Sequence, residues 1–552
     1  MFDALRKVGR LSNYGRGPLD ALAARVRLPL DRRYNEGRVI PDVRKLSDSV
    51  PDEGAGDGPH VMIVTLRVWQ NHALTEVMLG NALKARGANL SILTCGGGLP
   101  ICEVGWARKA WPRPCDRCAH FTDEVAQASG FARYRLADYL PWGANGKDAP
   151  QTYHDIAETP SMDYEKAGSQ TAAWVLKTTS PHAVPEGPEV LRDSAVTAAA
   201  VELAANRIID VAQPDIMFMV NGILVEEHVL AKVARSRGVR AVTYGYGIHQ
   251  DSMVMSSDVL PALDFKNEPL WEDARDQPLS QQEAGRLDTY LLQREHGAGT
   301  QAFFSGSQRD PVAVRAELGL DPGKRLISMF TNITWDSACL NKDIAFPNAD
   351  EWIRHAVREV AGRDDCQLVI RVHPAEASLG TLEPAEGAVA HEFPTLPANV
   401  RFIGAEEPVN SYALADASEM VLVYSSTTGL EAAVRGKAVV VAGDVHYRGR
   451  GFTTDLDEPE DLTRVIAEGV ELPAEQVELA RRYAHAYFFR LMTPIPKVLR
   501  QTSYSFAEVH EPVDLQPGAD PYLDLICDRI LDGEPLSTPR DLVLEQVPFP
   551  DL

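Results

Sequence analysis

The chain has 552 residues, 45% hydrophobic and 24% charged, with a formal net charge of −23. That length exceeds what one hydrophobic core usually organises and fits two α/β domains with extensions. No apolar run reaches the ~20 residues of a membrane span, and so acidic a chain lacks the basic surface on which general nucleic-acid binding depends.

Residues 1–57 form a basic extension and linker: residues 1–38 hold nine Arg or Lys against four acids. No apolar signal segment accompanies them, which points to the cytoplasm. A basic, weakly amphipathic stretch can dock on anionic lipid at the inner face of a membrane, although charge runs more often form a solvated tail.

The first domain is expected over 58–265. Residues 60–66 are a short apolar run that reads as a buried strand, 71–86 have helical spacing, and 88–94 are a second strand running into Gly96-Gly97-Gly98. This is a βαβ unit, and the order recurs with a strand at 214–220, a helix at 226–237 and a strand at 239–244. The chain carries seven cysteines, too irregular for a disulfide framework in a cytoplasmic protein. Four of them, Cys95, Cys102, Cys115 and Cys118, fall within 24 residues and end in a Cys-x-x-Cys pair. That spacing can place thiolates on one structural zinc, with an iron–sulfur cluster the lesser option. Cys339, Cys366 and Cys527 read as core thiols.

Residues 266–310 are polar and partly helical and read as a connector. A second α/β series fills 311–473, with strands at 325–330, 366–372, 400–403, 419–424 and 438–442 and helices at 349–362 and 428–435. Residues 474–552 are expected to form C-terminal helices and an acidic tail: from 474 to about 492 the pattern is helical, and the last fifty residues, rich in acids and prolines, suggest an irregular wrap or mobile tail. The fold class is therefore α/β, with two Rossmann-like domains.

The chemistry concentrates in the second series. Ser425-Ser426-Thr427-Thr428-Gly429-Leu430-Glu431 follows a buried strand and opens a helix, where open α/β sheets bind ligands and where amides and hydroxyls can hold an anion. Hydroxyls there also cap helices. Arg371-Val372-His373-Pro374 ends another strand of the same domain, so an imidazole can reach the same place.

The ordered set Arg371-Val-His373-Pro374, Ser425 to Glu431, Gly436-Lys437 and Tyr447-Arg-Gly-Arg-Gly451 resembles the capsule polysaccharide biosynthesis glycosyltransferases. The likeness covers most of 320–465. Those proteins include transferases of the acidic sugar Kdo and look like relatives of sialyltransferases of the GT-B fold, in which two Rossmann-like domains face each other across a cleft. The resemblance implies a nucleotide-sugar donor, CMP-linked in some relatives, and a glycan or lipid-linked glycan acceptor. It makes Arg371, His373, Ser425, Ser426, Thr427, Thr428 and Glu431 donor-binding residues. The loop Thr331-Asn332-Ile-Thr-Trp335-Asp336 looks like the Asn-x-x-Trp-Asp loop of such enzymes and adds Asn332, Trp335 and Asp336.

His373 is also expected to act catalytically, as an imidazolium beside the departing phosphate. On the acceptor side, an inverting transfer needs a base; Glu226, Glu227, His249 and Asp251 are the candidates, each of them also readable as a helix-face or turn residue. No Asp-x-Asp follows one of these strands where it could hold a divalent ion beside a diphosphate, so the transfer is expected to need no catalytic metal or other cofactor. A polyol-phosphate transferase of the teichoic-acid type and a non-catalytic nucleotide-sugar-binding assembly subunit are the alternatives.

Overall fold

Strands buried on both faces of a parallel sheet must be apolar at successive positions rather than at alternate ones. The runs at 60–64 and 420–423 are of this kind, and both form central strands. The computed structural model describes residues 35–51, 56–108, 114–249, 251–257, 266, 268–296, 310–472, 475–503, 506–534 and 536–544. The basic segment 1–34, with its expected lipid contact, lies outside them.

In the first half, β1 (His60–Val64), β2 (Asn89–Thr94), β3 (Ala132–Arg135), β4 (Ile216–Val220) and β5 (Arg240–Tyr246) are parallel. An antiparallel strand, β6 (Ser252–Ser256), lies outside β5. In the second half, β7 (Arg325–Phe330), β8 (Cys366–Arg371), β9 (Val400–Ile403), β10 (Met420–Val423), β11 (Ala438–Val441) and β12 (Thr454–Asp455) are all parallel. The sheets run β6-β5-β4-β1-β2-β3 and β9-β8-β7-β10-β11-β12. Each is the doubly wound order of a Rossmann fold, and each reverses direction beside its first strand, between β1 and β4 and between β7 and β10. Two Rossmann-like sheets are thus present, as the strand pattern implies.

The helices, among them α1 (Gln70–Lys84) and α2 (Pro114–Ser129) on the first sheet, cover these sheets with apolar stripes. The helix Ala349–Ala361 buries Ala349, Trp352, Ile353, Ala356, Val357 and Val360, a helical repeat, and the Asn348 side chain caps it through the Glu351 amide. Two helices absent from the sequence reading cover the first sheet: α3 (Tyr164–Leu176) and the 26-residue, alanine-rich α4 (Gly187–Ala212).

Two expectations are corrected. The connector's helices Glu268–Arg275 and Gln281–Glu295 bury Leu270, Trp271, Leu287 and Tyr290 in one core with β7, β10 and β11, so this stretch belongs to the packing of the second half. The last fifty residues include an ordered helix, Pro521–Asp532, whose Leu523, Ile526, Cys527 and Ile530 pack into the first half's core. The chain reaches it from the helix Gln476–His485 through a further strand, β13 (Thr493–Pro494), which pairs antiparallel with β6. Among the described residues no helix is long and apolar enough to cross a membrane.

Candidate functional site

Because β7 lies between β8 and β10, the residues leaving its carboxyl end can touch the ends of both neighbours. Thr331 Oγ1 accepts the His373 amide at 3.0 Å, and Asn332 Oδ1 accepts the Ser425 amide at 3.3 Å. Two consecutive residues therefore pin the His-Pro segment and the Ser-Ser-Thr-Thr turn to one place, the switch point of the second sheet. Sequence reasoning had assigned Thr331 no role.

The turn is built from below. Ser425 is buried and its hydroxyl donates to the Ala338 carbonyl, whereas Ser426, Thr427 and Thr428 are half-buried. Ser426 Oγ accepts the Thr428 amide at 3.3 Å, and Thr427, at the N-cap, makes no side-chain cap bond. Buried Tyr447 donates to the Ser426 carbonyl at 2.6 Å. Its ring comes so close that a Cβ on Gly429 would lie 2.1 Å from the Tyr447 hydroxyl, so this glycine is required by the approach of the tyrosine. The helix it opens, Thr428–Val434, is only seven residues long. An anion placed here would meet local amides and hydroxyls rather than a long helix dipole.

The charge of His373 depends on what stands beside it. Burial and nearby Arg371 push its pKa down to about 4, so without a phosphate beside it the ring is neutral at pH 7. Nδ1 accepts the Ala375 amide at 3.1 Å, which leaves the proton on Nε2. The ring can donate a hydrogen bond from that nitrogen without being charged.

Four other expected donor residues are engaged elsewhere. Glu431 is buried and pairs with Arg294 of the connector at 2.6 Å. Arg371 is 1% exposed and donates to the Gly404 carbonyl at 2.5 Å. Asp336 caps its own turn by accepting the Ala338 amide at 2.9 Å. Trp335 is fully buried, meets Trp174 of α3 edge to face at 5.3 Å between centroids, and shares the Lys177 ammonium with it, 4.1 Å from each ring. The tryptophan joins the two halves.

At the switch point of the first sheet stands a buried charge cluster. Arg67, just beyond β1, donates to Glu226 and Glu227 at 2.8 Å each, and its Nε abuts Glu103 as an ion pair. Glu226 and Glu227 occupy the first turn of α5 (Val225–Ser236), and all four side chains are at most 5% exposed. Reading these glutamates as exposed helix-face residues is thereby excluded. Burial pushes Glu226 up to about 7 and holds the neighbouring Glu76 at about 8, although Thr65 and Tyr244 hydrogen-bond to Glu76 at 2.6 and 3.0 Å. The other two base candidates do not join this cluster. Asp251 accepts the Gln501 amide at 2.9 Å and anchors the returning chain, and His249 stacks on Tyr290 at 4.9 Å.

Glu76 makes stability depend on pH. A carboxyl held protonated in the fold and ionised when unfolded favours the native state below pH ~4.5, and that advantage is lost as pH rises through about 8. Glu76→Gln removes this dependence, so the mutant is expected to gain on the wild type steadily across that window. Urea unfolding at pH 5, 6.5 and 8 measures it, and a pH-independent difference contradicts it.

The four cysteines of the expected metal site lie on three segments. Cys95 leaves β2, Cys102 lies in the short hairpin 101–106, and Cys115 and Cys118 open the helix Pro114–Ser129. Among the described residues, the group whose ligand atoms all lie within 4.8 Å of one another is Cys102, Glu103 and Glu226.

The two switch points are linked through α3. Thr171 Oγ1 accepts the Val225 amide at the start of α5 at 3.0 Å, and adjacent Gln170 donates to the Trp335 carbonyl at 3.2 Å.

Residues 319–482 match the family described as "Capsule polysaccharide biosynthesis protein". The match covers the His-Pro and Ser-Ser-Thr-Thr motifs, so the resemblance drawn from those residues stands for the second half. No protein of curated function matches the chain in sequence. Among solved structures, the β-Kdo 2,4-transferase of Thermosulfurimonas dismutans KpsC shares 13% identity at a TM-score of 0.34, over 58% of this chain and 87% of that one. The β-Kdo 2,7-transferase of the same protein shares 13% at 0.31, over 50% and 79%. The UDP-GlcNAc 2-epimerase of Neisseria meningitidis bound to UDP-GlcNAc shares 10% at 0.25, over 78% and 96%.

Proposed function

We propose that this chain is a glycosyltransferase of capsule biosynthesis that takes a sugar from a nucleotide-activated donor, held by the second half, and passes it to a glycan or lipid-linked glycan. The observation that carries this reading is that Thr331 and Asn332 pin the backbone of His373 and the start of the Ser425–Thr428 turn side by side at the sheet's switch point. When the bond from sugar to phosphate breaks, negative charge grows on the phosphate, and donors already aimed at that position lower the barrier. Nε2–H of a neutral imidazole, half-buried hydroxyls and turn amides suit that task.

The transfer is read as inverting and as needing no divalent ion at the phosphates: the Asp-x-Asp that ends β12, Asp455-Leu456-Asp457, is engaged, with Asp455 accepting the Gly449 amide at 2.7 Å and Asp457 pairing with Arg448 at 2.7 Å. On the acceptor side, Glu226 and Glu227 are bound to Arg67 while His249 and Asp251 are engaged elsewhere. The first half is therefore read as shaping and charging the acceptor site, with no base assigned. Docking of the basic N-terminal segment on anionic lipid would bring the enzyme to a lipid-linked acceptor.

Hydrolysis of CMP-, CDP-, UDP- and GDP-linked sugars, with CDP-glycerol alongside, tests the reading: turnover of one nucleotide sugar is expected. Turnover of CDP-glycerol alone would make the chain a polyol-phosphate transferase, and binding without turnover of any donor would make it a carrier. Ser426→Ala and Thr427→Ala are each expected to weaken donor binding by about 1–2 kcal/mol, roughly 5- to 30-fold in Kd, with a smaller effect on turnover. Calorimetric titration of the donor measures this, and unchanged affinity in both variants would remove the turn from the site.

A further inference from the structure

The charge cluster of the first half does not balance. Arg67 supplies one positive charge against Glu103, Glu226 and Glu227, and the whole group is buried. Unpaired buried carboxylates cost several kcal/mol each unless a proton or a cation compensates them. Glu103 is the least satisfied of the three. It is 4% exposed; one of its oxygens meets the Arg67 Nε as an ion pair, and the other has no hydrogen-bond partner.

The surroundings favour a cation over simple neutralisation. The Ile101–Trp106 hairpin turns between Cys102 and Gly105, so Cys102 and Glu103 lie at its tip. There the Cys102 sulfur, a Glu103 oxygen and a Glu226 oxygen all fall within 4.8 Å of one another. Ligands of one tetrahedral ion at about 2.0–2.3 Å are separated by roughly 3.3–3.8 Å, so the trio needs only a small contraction to close on a metal. Further sulfur is at hand: Cys118 is buried and Cys95 and Cys115 half-buried, and a Cβ on Gly97 would lie 3.3 Å from that of Cys115, which places Cys115 beside the glycine loop that follows Cys95.

Mixed thiolate and carboxylate ligands exclude the hard ions Ca²⁺ and Mg²⁺, which take oxygen alone, and suit the borderline ion Zn²⁺. We propose that Cys102, Glu103 and Glu226 bind one zinc-class divalent ion, with a thiol from Cys95, Cys115 or Cys118 completing the shell. The ion offsets the surplus negative charge and clamps the 101–106 hairpin to the start of α5. As a ligand, Glu226 has no part as a base. The site stands apart from the transferase reading, since it rests on first-half residues and is read by metal content.

The test uses the full chain purified without added chelator. About one equivalent of zinc is expected in the wild type, Cys102→Ser and Glu226→Gln should each lower it about tenfold or more, and Cys366→Ser, far from the cluster, should leave it unchanged. Stripping the wild type and refilling it with cobalt should give a thiolate-to-cobalt charge-transfer band, so the test does not depend on the variants folding. Less than about a tenth of an equivalent of metal together with no cobalt band overturns the proposal. Metal retained in full by Cys102→Ser, or iron with sulfide in place of zinc, overturns it equally.

Discussion

Arg67→Met is expected to cost about 3–5 kcal/mol of folding stability, the penalty for leaving buried carboxylates without their cation. Arg67 spans all three glutamates, Glu103, Glu226 and Glu227, with one guanidinium. Methionine fills most of the volume, so the loss reads charge rather than a cavity. Adding Glu227→Gln to Arg67→Met restores the original net charge and should recover a large part of the loss, which a double-mutant cycle in urea unfolding measures. A single mutant within about 1 kcal/mol of the wild type would mean that the carboxylates take up protons at little cost.

His373→Ala is expected to slow turnover about a hundredfold or more, the size of effect found when a donor to developing negative charge is removed. The ring is held in place from two sides: its amide goes to Thr331 and its Nδ1 takes the Ala375 amide, so Nε2 carries the proton in a fixed direction. A bound phosphate favours the charged imidazole and raises its pKa from about 4, so the bond strengthens as the nucleotide leaves. His373→Gln, which keeps an N–H donor, should recover part of the rate. Steady-state kinetics with the preferred donor separates kcat from KM; His373→Ala that is folded and within about threefold of the wild-type kcat removes the residue from the reaction.

The sheets and the polar motifs at their strand ends were legible in the sequence for one physical reason: strands buried on both faces are apolar throughout, and polar residues then stand out at their ends. Arg67 was not legible. It follows β1 in an ordinary-looking stretch, and its partners Glu226 and Glu227 lie 159 and 160 residues away. Trp335 matched a donor-loop pattern, but a pattern does not say which way a ring faces, and here it faces Trp174. The cysteine spacing announced a cluster without the two glutamates, because the hairpin at 101–106 and the start of α5 meet only in three dimensions. The acidic C-terminal stretch looked unstructured by composition, yet Leu523, Ile526 and Ile530 recur at helical spacing and bury one face.

Among the described residues the chain crosses between its halves three times: it leaves the first sheet after Ser256 to build the second, returns to pair Thr493–Pro494 with β6, and goes back to place Val543 in the second half's core and Arg540 against Glu283. The halves are sewn together rather than strung end to end. α3 adds a non-covalent stitch where Gln170 donates to the Trp335 carbonyl. No single cut of the chain therefore divides it into its two halves, because each half is completed by a segment that lies beyond the other in sequence.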